Sequence, residues 1–157
     1  MATKFSTDVE HGPSADAEFA AWAFYQAMLM RSGQLHLLDR HAVAEELDTL
    51  GQKEFRTLDS LLARIIQHML KWDHQPERRG VSWTNSIAGH RSQVQKLLSD
   101  SPSLKSRQLE GMVEAYPDAV RYASTETGLL PRAFPNECPY TWDDIMSRPF
   151  DWPEEQQ

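Results

Sequence analysis

The stretch QKEFRTLDSLLARIIQHMLKW, residues 52–72, decides the fold. Phe55, Leu58, Leu61, Leu62, Ile65, His68, Met69 and Trp72 recur at intervals of three and four, which puts them on one face of an α-helix. Upstream, Asp39 is a good N-cap, and Val43, Glu46, Leu47 and Leu50 continue a helical stripe as far as Gly51. An unbroken helix over 40–72 would be roughly 50 Å long at 1.5 Å per residue, more than a small domain spans. The spacing therefore predicts two helices with a bend near Gly51. A reversal there would bring Arg56 level with Glu46, whose carboxylate lies among apolar neighbours and needs a partner.

Further upstream, FAAWAFYQAMLM (19–30) is apolar everywhere but Gln26. A helix over about 16–32 places Phe19, Trp22, Ala23, Gln26, Leu29 and Met30 on one stripe, with Gly33 where a left-handed cap is required. Phe24, Tyr25 and Met28 lie off that stripe, so the helix is apolar on more than one face. Such a helix is sandwiched between neighbours or covered by a second copy. The run is bounded by Glu18 and Arg31 and is too short to cross about 30 Å of hydrocarbon. A homo-oligomer through helix 19–30 is expected, and a membrane partner is not.

Downstream, Pro76 and Gly80 punctuate a turn, after which Ser82 can cap a helix from Trp83 to about Ser99 with Ile87, His90, Val94, Leu97 and Leu98 inward. Ser101 and Pro102 read as the N-cap and first position of a further helix carrying Leu109, Met112, Val113, Tyr116, Val120 and Ala123 to Gly128, with a kink expected at Pro117. The tail is rich in proline and aromatics, and Thr141 and Asp144 stand at capping-box spacing for one short helix. The fold class is all-α, a single-domain bundle of about five main helices with an irregular C-terminal tail. Residues 1–14 form an N-terminal extension.

At 157 residues the chain is long enough to hold a core of its own. One cysteine, Cys138, excludes an internal disulfide and a C-x-x-C motif, and no base adjoins it in sequence. The start is acidic rather than a basic leader with an apolar core, so a reducing, cytoplasmic setting is expected. The net charge of −7 hides an uneven layout: residues 64–107 hold eight Lys/Arg against three Asp/Glu, while both flanks are acidic. A basic segment can meet nucleic acid, but the overall charge repels a polyanion, and such a partner is disfavoured.

The blocks DAEFAAW, AEELDTLGQKEFRTLDSLLARIIQHMLKW, QPERRGVSW, SDSPSL, ETGL and ECPYTWDDI follow one another in the order of the bacterial domain of unknown function 29 family, which the chain resembles over residues 16–153. His74 departs from that pattern, standing where an aromatic is expected. The resemblance implies a compact helical fold in bacterial cytoplasm, and it implies no reaction, substrate or cofactor.

No nucleophile elbow, phosphate loop or dinucleotide fingerprint is present. If the helices flanking 73–82 are antiparallel, His68 and His90 come close to each other, but zinc wants three or four protein ligands and the only neat i, i+4 pair, His41 with Glu45, lies on another helix. No metal or cofactor is expected, and the two histidines read as buried and hydrogen-bonded. Arg78 and Arg79 admit two readings. They can partner the free carbonyls of the helix they follow, or join Ser82 at the next helix's N-terminus to hold a small anion such as phosphate. The functional expectation is a non-enzymatic interaction or self-associating module, with a small-anion or enzymatic site at the 68–90 corner as the alternative.

Overall fold

In the computed structural model, residues 12–151 are described. Their regular structure is all helical, with no strand among them. Five α-helices run in order: α1 (Phe19–Arg31), α2 (Arg40–His74), α3 (Val81–Asp100), α4 (Gln108–Thr127) and α5 (Trp142–Ser147), joined by short 3-10 turns. Most of the expected N-terminal extension lies outside the described residues. The contacts divide the chain into two compact units, Met1–Gly51 and Gln52–Gln157.

The largest departure from expectation is α2. Its helix is continuous through Gly51, so the two predicted helices are one and the chain does not reverse there. A single glycine costs a helix only about 1 kcal/mol relative to alanine, and the flanking stripes are strong enough to carry the helix across it. Glu46, half-buried, and Arg56, exposed, are therefore ten positions apart on one helix, and the facing arrangement expected of them has no reversal to create it.

The first unit is α1 followed by the opening turns of α2. Trp22, Gln26 and Leu29 are its buried positions on α1. Gly33, at φ 74°, ends α1 in the left-handed conformation, with Gly33 N–H donating to Met30 O (3.2 Å) and Gln34 N–H to Leu29 O (2.9 Å), a Schellman closure. Asp39 caps α2 as expected, its Oδ1 accepting from Ala42 N–H at 3.1 Å. Its own N–H donates to Gln26 Oε1 (2.9 Å), which ties the start of α2 to the middle of α1.

The second unit holds the continuous core. Leu58, Leu62, Ile65, Ile66, Met69 and Leu70 of α2 are fully buried against Ile87, Val94 and Leu98 of α3 and Met112, Ala115, Tyr116, Ala119 and Ala123 of α4. The inward face of α4 includes Met112, Tyr116 and Ala123 of the predicted set, whereas Leu109 and Val113 are each 71% exposed. Close approach of α4 to α2 selects small residues over large ones: a Cβ added at Gly111 would lie 3.2 Å from Leu62 Cδ1. Pro117 sits inside α4, which nonetheless continues to Thr127. Its position and that of Val113 are exposed, so water can reach the carbonyl that lacks a proline N–H donor. Ser101 and Pro102 open a 3-10 run, Pro102–Arg107, and not an α-helix. The tail adds to the core through Phe134, Tyr140 and Ile145, and α5 carries the expected capping box between Thr141 and Asp144.

Candidate functional site

The corner between α2 and α3 collects the polar residues that the sequence singles out. Arg79 Nε donates to Trp72 O at 2.8 Å, and its guanidinium lies 4.9 Å from the centre of the Trp72 ring. That contact satisfies one of the free carbonyls at the end of α2. Arg78 is exposed in the 3-10 turn Pro76–Arg78, and Ser82 is exposed in the first turn of α3, whose N-cap is Gly80 rather than Ser82.

One turn deeper, α2 and α3 bring His68 and His90 together, their ring centroids 6.5 Å apart and their planes within 27°. Each Nδ1 lies against the carbonyl four residues earlier, Arg64 O at 2.9 Å and Ser86 O at 2.7 Å. A carbonyl only accepts, so each Nδ1 carries a proton and points it at that carbonyl, leaving Nε2 as the other ring nitrogen. Burial pushes the His68 imidazole below its ordinary pKa, and nearby Lys71 pushes the same way.

Lys71 is the residue that sequence reasoning undervalues. Its side chain is 8% exposed, its Nζ reaches Glu126 Oε2 on α4 at 2.5 Å, and it lies 4.6 Å from the centre of the Trp83 ring. Burial raises the Glu126 pKa, but the hydrogen bond and charge of Lys71 outweigh it and hold the carboxyl below its ordinary value. Gln67, fully buried beside them, accepts from Arg64 Nη1 at 3.1 Å, and its side chain also helps to hold the Glu126 carboxyl low. The pair is separated by 55 positions, and nothing local in the sequence announces it. The cluster offers the Nε2 atoms of two imidazoles and an ion pair that is buried on its lysine side. Among the described residues, no group of three or more His, Cys, Asp or Glu is placed to hold a metal ion.

The C-terminal segment is fastened beside this corner. Arg148 grips Asp73 through two hydrogen bonds of 2.7 and 2.9 Å, and Tyr140 OH donates to the same carboxylate at 2.8 Å. Burial raises the Asp73 pKa, but these bonds more than offset it and leave the carboxyl below its ordinary range. Arg91 donates to the carbonyls of Ile145, Arg148 and Asp144 around the end of α5. Cys138 is half-buried, and burial pushes its thiol pKa up, away from the thiolate that a nucleophile needs.

The basic middle segment is largely engaged internally. Arg64 stacks on Tyr122, Lys71 pairs with Glu126, Arg79 and Arg91 bind carbonyls, Lys96 pairs with Asp100, and Arg107 pairs with Glu110. The remaining candidate pair, His41 with Glu45, is an exposed 3.2 Å contact on the surface of α2.

A different surface lies within the first unit. A groove of about 460 Å³ runs between α1 and the first turns of α2, with Phe19, Met30, Leu47 and Leu50 along it. These side chains are 52%, 43%, 61% and 62% exposed. Leu47 and Leu50 were expected inside, and they face solvent because the uninterrupted α2 does not fold them under.

An all-helical protein with a polar corner between α2 and α3 and an open apolar groove is the class these features define. The chain belongs to the family described as Domain of unknown function DUF29, whose model matches residues 16–151. No curated protein and no solved structure matches it. Among the described residues no helix is long and apolar enough to cross a membrane.

Proposed function

We propose that this chain is a non-enzymatic interaction module that pairs with a second copy of itself through the groove between α1 and the start of α2. The observation that carries this is the exposure of Phe19, Met30, Leu47 and Leu50 along one cavity. Two helices cannot cover both apolar faces by themselves, and a second identical hairpin would complete a four-helix arrangement. The four side chains offer on the order of 400 Å² per copy, about half of what each partner contributes to a standard interface. The internal engagement of the basic segment supports this over nucleic-acid binding, and the commitment of Arg79 to Trp72 O supports it over an anion site shared by Arg78, Arg79 and Ser82.

Sedimentation velocity from low to high micromolar concentration tests the proposal. The parent chain is expected to shift from monomer to dimer. A Leu47→Asp, Leu50→Asp variant, altered only at exposed positions, should keep its helical circular dichroism. It should also abolish pairing over this concentration range, since four leucines, two from each copy, are withdrawn from apolar contact at about 2 kcal/mol each. A parent chain that stays monomeric throughout rejects the proposal.

A further inference from the structure

The second unit carries an apolar groove of its own. Leu109 and Val113, one turn apart on α4 and each 71% exposed, line a cavity of about 560 Å³ together with Met112, Tyr116 and Cys138. A further cavity of about 400 Å³ shares Tyr116, Pro117 and Asn136 with it and reaches Val120. From Leu109 to Val120 an α-helix rises roughly 16 Å, about three turns. The surroundings are acidic. Glu137 lines the larger cavity and joins no ion pair among the described residues, and Glu114, next to Val113, is exposed. Two cations of α4 and its approach are already held, Arg107 by Glu110 through hydrogen bonds of 2.8 and 2.6 Å and Arg121 by Asp118. Arg132 lines only the smaller cavity, beyond Pro117 from Leu109. Burial raises the Cys138 thiol pKa, and the charge of Asp144 pushes the same way, so negative potential reaches the lining.

We propose that this groove docks a basic amphipathic helix of a partner protein, with its apolar stripe on Leu109 and Val113 and its Lys or Arg residues against Glu137 and Glu114. A helix laid in a groove is read through apolar anchors at successive turns, and three turns of length give room for such a set. Basic residues beside that stripe meet opposite charge at the Leu109 end, which orients the partner and disfavours acidic ones. Charge also decides against other occupants. Nucleic acid or an anionic lipid surface would face residues 108–157, which hold ten Asp/Glu against three Lys/Arg. A second copy of this chain has only its basic stretch, 64–107, to offer, and that stretch is largely engaged within its own chain. The site lies in the second unit and does not depend on pairing through α1.

The test titrates the full chain, at constant ionic strength, against synthetic helical peptides of about 18 residues followed by fluorescence anisotropy. One carries leucines along a single stripe with lysines elsewhere, a second has glutamate in place of lysine, and a third has the composition of the first with its leucines spread around the helix. The striped leucine–lysine peptide should saturate at one per chain. The glutamate and shuffled peptides should each bind at least about tenfold more weakly. A Leu109→Ser, Val113→Ser variant, altered only at exposed positions, should keep its helical circular dichroism and lose at least about tenfold in affinity for the striped peptide. Glu137→Lys, also at an exposed position, should narrow the preference for lysine over glutamate and decides the matter should the double variant fail to fold. The Leu47→Asp, Leu50→Asp chain should still bind, which separates this site from the groove beside α1. Binding that does not saturate, equal affinity for the lysine and glutamate peptides or for the striped and shuffled ones, or a Leu109→Ser, Val113→Ser chain that binds as the parent does would each overturn the proposal.

Discussion

The contact between Lys71 and Glu126 is lopsided, with the lysine side chain 8% exposed and the glutamate 45% exposed. Removing one partner of a buried pair is expensive because the other stays behind as an uncompensated charge. Glu126→Ala strands Lys71 against Trp83 and should destabilise the fold by about 2–3 kcal/mol. Lys71→Met leaves a carboxylate that water can reach and should cost less than about 1 kcal/mol. Urea unfolding of the two variants checks the order, and equal losses would contradict it. His68 adds a pH dependence. Its folded-state pKa lies below the unfolded value, because burial disfavours the imidazolium. The unfolded chain therefore binds the proton first, and the stability His68 contributes is full above the ordinary imidazole pKa of about 6.5 and lost as pH falls below it. Asp73, held low by Arg148 and Tyr140, is lost in a separate and more acidic window. A His68→Gln variant should show a flatter stability curve between about pH 7 and 5 than the parent chain.

Among the elements, the legible features were those set by local chemistry. The cap at Asp39, the left-handed closures at Gly33 and Gly128 and the capping box at Thr141 each depend on side chains and backbone within a few residues, so the sequence states them outright. On α4 the large residues Met112 and Tyr116 are buried as their spacing suggests, but Leu109 and Val113 are not, because Gly111, Ala115 and Ala119 face the core where α2 and α4 pack closely. Gly51 has the residue type of a bend, yet it lies inside α2 with open space around its missing side chain. These two glycines should answer mutation in opposite ways. Gly51→Ala should stabilise the chain by about 0.5–1 kcal/mol through helix propensity alone. Gly111→Val should destabilise it by about 2 kcal/mol through overpacking against Leu62. Thermal melts of both variants check the signs, and a destabilising Gly51→Ala would mean that α2 needs freedom at that point.

For the molecule as a whole, the helical class was readable from periodicity, but the partners of the polar residues were not. Lys71 with Glu126, Asp73 with Arg148 and Arg91 with the carbonyls of α5 each join positions more than fifty apart, and charge counted along the chain cannot show that a basic stretch is engaged by distant residues. The same long-range organisation separates the two units. Every residue of the continuous core lies between Phe55 and Ile145, and the ion pair fastening the tail, Asp73 with Arg148, lies within Gln52–Gln157 as well. The groove proposed for self-association belongs wholly to Met1–Gly51. A fragment comprising Gln52–Gln157 should therefore keep a single cooperative urea transition, since a chain on the order of 100 residues with its core intact is large enough to fold alone. It should also sediment as a monomer at concentrations where the full chain pairs. A fragment without a cooperative transition would mean that the core depends on residues it does not contain, and a fragment that still dimerises would place the association surface outside the groove between α1 and α2.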